Sequence, residues 1–419
     1  MRLAVIPDSN DYLSAREAVQ LLGVRMQTLY AYVSRGWVRS VSQQGQKERL
    51  YARADIERVK ARSQARAGHG AVAASAMHWG EPIIPTSITQ ITPEGPRYRG
   101  YCATRLAYSA VPFENVADLL WSGELDTTPS RWQLHALPRR LEGFAATMTS
   151  LRARDQLLEL FTLFTVQLGL AHAGAPTADE DSTLAARALI KTLAGCFGYT
   201  SAHGAFYRLR KGQPVAEGML EALGVEPDTR NLLDLNAALV VLADHELSPS
   251  AFAARIAASG GASLHNCIAA AMCANSGTHV GRQYSKVEQA LKAGASRATL
   301  FRRASELQSR RLAVPGFGHP LYPQGDPRAR LLLDRIRERP ARSRRLDVLE
   351  GFVADVQDRL GLQPSQELAM VMLGIAMGLP AHTAGGLFTL ARTAGWVAHI
   401  REQRQSGALL RPRAKFIGV

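Results

Sequence analysis

The chain has 419 residues, 46% hydrophobic and 21% charged, with 50 Lys and Arg against 36 Asp and Glu for a formal net charge of +14. That length allows two or three domains with real cores and excludes a disordered, collagen-like or disulfide-stapled protein. No apolar run approaches the roughly 18 residues of a membrane span, and the N-terminus MRLAVIPDSNDYLS lacks the features of a secretory signal, so a cytoplasmic protein without membrane association is expected.

The four cysteines (Cys102, Cys196, Cys267, Cys273) form no C-x-x-C pair, which predicts buried thiols and no metal site. Basic charge is concentrated in two places. Residues 1–70 hold 12 Lys and Arg against 6 acids, and residues 300–345 hold 12 Arg against 4 acids. Basic surfaces attract polyanions, and these two need not share a partner: the first suits DNA phosphates, the second a phosphorylated cofactor.

In chain order, YLSAREAVQLLGV places Ser14 and Glu17 as a capping box, Ala18, Leu21 and Leu22 as an apolar stripe and Gly23 as a stop. RMQTLYAYVSRG predicts a second helix with Leu29, Tyr30 and Val33 facing inward and Arg25, Gln27 and Arg35 outward. Two short strands around a Gln-Gly turn and a third helix from about Asp55 follow. This order resembles the helix-turn-helix of the MerR-like and excisionase-like DNA-binding families, whose second helix enters the major groove. The resemblance implies a winged helix-turn-helix domain over residues 1–64, with Arg25, Gln27 and Arg35 as DNA-binding residues; a small helical docking module is the alternative.

Residues 65–82 are rich in Ala, Gly and Ser and predict a linker. Beyond them, stretches such as LAARALIKTLAGCFGY and LSPSAFAARIAASGGASLHNCIAAAMCA repeat apolar residues at three and four, which predicts an all-α body. Ionisable groups stand where such a body would not want them. Asp244, His245 and Glu246 end an apolar helix, and His279 sits between Gly277 and Gly281. In VPGFGHPLYPQGDPRARLLL, Gly316 and Gly318 let backbone approach a ligand, His319 follows, and Asp326 and Pro327 start a helix that places Arg328 in its first turn, a setting that suits an anion. Arg392 is the one formal charge in AGGLFTLARTAGWVAHI. Such an arginine needs a partner, either an internal carboxylate or that of a substrate.

Together GFGHPLYPQGDPRA, ADHELSPSAFAAR, LFTLARTAGWVAHI and LLRPRAKF, with PEGPRYRGY and FENVADLLWSGEL before them, are similar to citrate synthase from about residue 83 to the end. The resemblance implies an all-α, two-domain fold, normally a homodimer, with residues 83–278 and 388–419 as the large domain and 279–387 as the small one. It implies condensation of acetyl-CoA or propionyl-CoA with oxaloacetate, CoA being substrate and product rather than a permanently bound cofactor. His279 would donate to the thioester oxygen, His319 to the oxaloacetate carbonyl, and Glu367 would be the base. His245, Arg328 and Arg392 would bind oxaloacetate, with Arg411 offered across the dimer. Planar guanidinium forks match carboxylates, which explains arginine at all three places.

Four positions depart from the family pattern. Val280 and Arg282 follow His279 where small residues are usual, Glu367 stands in place of an aspartate, and Ser248 in place of an asparagine. These departures, with the N-terminal module, leave one alternative: a DNA-binding regulator whose body senses a CoA thioester or dicarboxylate with weakened catalysis.

Overall fold

The computed structural model describes residues 12–34, 37–42, 49–53, 55–57, 59, 84–133, 139–149, 156–171, 179–292, 296–340 and 343–412. The chain separates into two compact units, Met1–Ile84 with Ala414–Val419, and Pro85–Arg413.

In the first unit, β1 (Tyr12–Ser14) runs into α1 (Ala15–Leu22), where Ser14 and Glu17 form the expected capping box and Gly23, at φ 64°, ends the helix. After α2 (Met26–Ser34) come β2 (Ser40–Ser42) and β3 (Arg49–Ala52), in an antiparallel sheet ordered β1-β3-β2. Leu13, Ala18, Leu29, Val38, Tyr51, Ile56 and Val59 form the core. Tyr30 is 54% exposed, against expectation. One position round from Leu29 on a helix is about 100°, so it is Tyr32 and Val33 that share the inward face, and Tyr32 stacks on Trp37 at 5.6 Å. Arg53 is already helical, ahead of the expected start, and Asp55 accepts from the Arg39 backbone at 3.0 Å and pairs with its guanidinium at 2.8 Å. Arg25 and Gln27 are exposed; Arg35, the Gln-Gly turn and the 65–82 linker lie outside the described residues.

The second unit opens with a small antiparallel sheet, β4 (Thr89–Thr92), β5 (Gly95–Tyr98) and β6 (Tyr101–Cys102), which the periodicity did not announce. Helices follow: α3 (Ala103–Tyr108), α4 (Phe113–Ser122), α5 (Glu142–Met148), α6 (Leu157–Ala171), α7 (Asp179–Cys196), α8 (Val215–Leu223), α9 (Thr229–Leu242), α10 (Pro249–Ser259) and α11 (Leu264–Asn275). The rest are α12 (Gln283–Lys292), α13 (Arg297–Ser309), α14 (Pro327–Arg337), α15 (Arg344–Leu360), α16 (Gln366–Met377) and α17 (Ala384–Ser406). Among the described residues no helix is long and apolar enough to cross a membrane.

α17 is the centre of this body. It is buried on every side over most of its length because α4, α6, α7, α9, α10 and α11 surround it, as a helix without a polar face requires. Trp121 of α4 pins it by donating to the Ala394 carbonyl at 2.9 Å. α10 and α11 form a hairpin across Gly260 and Gly261, while α16 packs on α12 and α14. Cys196 and Cys267 are buried as expected, but Cys102 is half-buried and Cys273 is exposed on α11, a helix with only one face against the core.

Candidate active site

The turn after α9 carries His245 and is held from three sides. Tyr98 Oη donates to the Asp244 carbonyl at 3.1 Å, and Asp244 Oδ2 accepts from Glu246 N at 3.1 Å. Buried His399 points Nε2 at Asp244 Oδ1, 3.4 Å away, while its Nδ1 accepts from Arg255 Nε at 3.0 Å. Glu246 keeps a φ of 58°, a conformation that non-glycine residues hold only when the surroundings impose it. Gly395 is required here, since a Cβ on it would stand 2.1 Å from Asp244 Oδ1.

His319 lies on the loop before α14. Gly316 and Gly318, at φ 86° and 81°, bend that loop, and Gly318 N donates to the Gln363 carbonyl at 2.7 Å, tying it to the segment before α16. The loop faces the α9 turn, and the His245 and His319 rings meet edge to face with centroids 5.5 Å apart. Tyr322, which the sequence reading did not single out, packs on both rings and shares a 3.1 Å hydrogen bond with His245 Nε2. Its presence in GHPLYPQGDPR, three residues past His319, was the available signal.

Asp326 caps α14 as expected. It also grips Arg328, Nη2 to Oδ2 at 2.7 Å and Nε to Oδ1 at 3.0 Å, with both residues buried. Arg328 Nη2 reaches His319 Nε2 at 3.5 Å, and the guanidinium lies over Tyr322. Arg392 is equally buried, yet its described contacts are a 3.1 Å hydrogen bond from Nε to the Leu242 carbonyl and a 4.8 Å approach to the Phe388 ring. Among the described residues no carboxylate lies within ion-pair distance of it. A buried cation so placed is ready for an anion from outside.

The electrostatics agree. Burial, then Arg328 and Arg392, hold the His245 imidazole well below its ordinary range. Burial and Arg328 lower His319 too, with Asp326 and Glu367 acting against them. Both rings are therefore neutral near neutral pH, as a hydrogen-bond donor to a ketone oxygen should be. Burial lowers Arg392, with Asp244 opposing, and raises the Tyr322 hydroxyl to about 12. Arg328 is also buried, but Asp326 outweighs that and holds its charge firmly.

Glu367, in the first turn of α16, completes the group; its charge acts on both His319 and Arg328. Its carboxylate Oε1 accepts from Gln366 Nε2 at 2.7 Å. The structure thus brings together His245, His319, Arg328, Arg392 and Glu367. His279 and Arg411 are exposed and make no hydrogen bond to a described residue. His279 belongs to a turn whose Gly281 donates to the Asn275 carbonyl at 2.7 Å. Val280 packs against the core, and Arg282 turns outward to Glu159 of α6 at 2.7 Å, so neither departure crowds or charges the cluster. Ser248 accepts from Ala251 N to cap α10, work an asparagine does equally well.

Two buried guanidinium groups, two neutral imidazoles and a carboxylate across from them equip an enzyme to hold a compact dicarboxylate and take a proton from carbon beside it. The relatives are of that class. The family model "Citrate synthase, C-terminal domain" matches residues 77–413. The chain is 27% identical over 358 residues to the 2-methylcitrate synthase of Mycobacterium tuberculosis, covering 81% of this chain and 89% of that one. It is 28% identical over 369 residues to citrate synthase 2 of Bacillus subtilis, covering 81% and 95%. Among solved structures, citrate synthase from Thermoplasma acidophilum, in a ternary complex with carboxymethyl coenzyme A and oxaloacetate, shares the fold with a TM-score of 0.67 at 19% identity, over 81% of this chain and 95% of that one. The citrate synthase of Thermotoga maritima gives 0.63 at 23% identity, over 81% and 94%. The chain belongs to the citrate synthase family and is an acyl-transferring enzyme.

Proposed function

We propose that the chain condenses acetyl-CoA or propionyl-CoA with oxaloacetate, releasing CoA and citrate or 2-methylcitrate. The observation that carries this reading is Arg392, a buried cation without a described carboxylate partner beside His245 and Arg328. Arg328 and Arg392 take the carboxylates of oxaloacetate, and His245 and His319 hold its oxygens. Glu367 removes a proton from the carbon next to the thioester, and His279 donates to the thioester oxygen as the enol forms. The enol carbon then bonds to the oxaloacetate ketone carbon as that oxygen takes the proton from His319. Water finally cleaves the thioester and CoA leaves. Electrostatic support for the developing oxyanions is the main rate contribution expected of such a site.

His279 is assigned from the resemblance, and its exposure fits a residue that meets acyl-CoA only when residues 279–387 close as a small domain over 83–278 and 388–419. A homodimer, with Arg411 completing the partner's site, is supported by an exposed apolar stripe on α6: Leu163, Val166 and Leu170. The N-terminal unit reads as a winged helix-turn-helix for DNA, supported by exposed Arg25 just before α2 and exposed Gln27 on it, with Leu29 buried. Duplex DNA binding that weakens with salt and with Arg25→Ala is the expected result, and no binding at low salt removes this part of the reading. The competing reading, a regulator with a weakened body, has no support in relatives that are named as synthases.

Release of free CoA with the two substrates, abolished by His319→Ala, tests the reaction itself.

A further inference from the structure

We infer that Tyr284 and Gln366 are positioning residues for Glu367, forming a buried relay that fits the site to a glutamate. The inference rests on Glu367 being the base. Tyr284, in the first turn of α12, is 2% exposed, and Gln366, the first residue of α16, is 4% exposed. Tyr284 Oη donates to Gln366 Oε1 at 2.8 Å, and Gln366 Nε2 donates to Glu367 Oε1 at 2.7 Å.

The direction of this chain is fixed by chemistry. A carboxylate only accepts, so the amide must turn its NH2 to Glu367, which leaves its oxygen for the one donor a tyrosine has. The start of the chain is equally fixed: the Tyr284 ring packs on Phe388 at 5.3 Å, and Phe388 also lies under Arg392. Tyr284 feels the charges of Glu367, Arg392 and Arg328, which puts the relay at the wall of the substrate cluster.

A glutamate has one more rotatable bond than an aspartate, and holding Oε1 removes that freedom while leaving Oε2 to take the proton. Shortening the arm would pull the carboxylate off Gln366 rather than improve its reach. Glu367→Asp is therefore expected to lower kcat, by about a hundredfold for a misplacement near 1 Å.

The test is a double-mutant cycle. Gln366→Leu and Tyr284→Phe should each lower kcat about tenfold or more while leaving KM for oxaloacetate within about twofold, a split that general loosening of the fold would not give. In the Gln366→Leu background, Glu367→Asp should add little, because the anchor is already gone. Effects that multiply, or a rise in turnover for Glu367→Asp alone, overturn the relay. Thermal unfolding of Gln366→Leu, Glu367→Ala and the double variant is the arm independent of turnover. If the unaltered protein releases no CoA, the proposed reaction fails while non-additive melting shifts sustain the relay; additive shifts overturn it.

Discussion

Arg328 and Arg392 are both buried arginines, yet they should behave oppositely when removed. Arg328→Met strands Asp326, whose carboxylate, despite its burial, is held low by that arginine, and loss of one partner of a buried pair costs about 3–5 kcal/mol. Arg392→Met removes a cation that burial already disfavours, so the melting temperature without substrate should change little. What that variant should lose is the rise in melting temperature on adding oxaloacetate. Calorimetry of both variants with and without oxaloacetate checks the contrast. The histidines give a pH dependence. His245 and His319 sit below the ordinary value of 6.5, so below that pH the unfolded chain binds more protons than the folded one and stability must fall as pH falls. His245→Asn should flatten this slope. Asp244 and Asp326, both below 3.8, contribute their own loss only at more acidic pH. His245, His319, Arg328 and Arg392 were legible in the sequence because charge or glycine-flanked imidazole is out of place in helical periodicity. Tyr284 and Gln366 were not, since a hydrogen bond across 82 residues of chain leaves no local pattern.

Helix ends and glycines were the most readable elements. Ser14 and Asp326, both read as caps, each accept a backbone N–H at the start of a helix, and Ser248, Ser263 and Ser343, which were not read as caps, do the same. The strands were less readable: β1 has three residues and β6 two, too few to show alternation. The need for Gly395 also appears only in three dimensions, where α17 passes the His245 turn. Gly395→Ala would put Cβ 2.1 Å from Asp244 Oδ1 and 2.7 Å from the Ala243 carbonyl, the first a fully buried carboxylate with no room to swing away and the second backbone. The turn must shift, and His245 with it. A raised KM for oxaloacetate, larger than the accompanying loss of stability explains, is the expected outcome in steady-state kinetics.

At the scale of the molecule, a mostly helical body was legible from periodicity alone, though its β4-β5-β6 sheet was not, and motif order carried the reaction further than composition could. A dimer was expected from the resemblance, but no surface for it was legible, because Leu163, Val166 and Leu170 read as ordinary positions of an apolar helix until the fold left them exposed. Leu170→Glu should shift the protein toward monomer in sedimentation velocity if this stripe meets a second copy. What the molecule as a whole is built for is the joining of an acyl-CoA to oxaloacetate at this cluster. Its most direct test is to give the purified chain acetyl-CoA or propionyl-CoA with oxaloacetate and follow free thiol. CoA release should require both substrates and disappear with His319→Ala. Release no faster than in that variant, with either acyl-CoA, would contradict it.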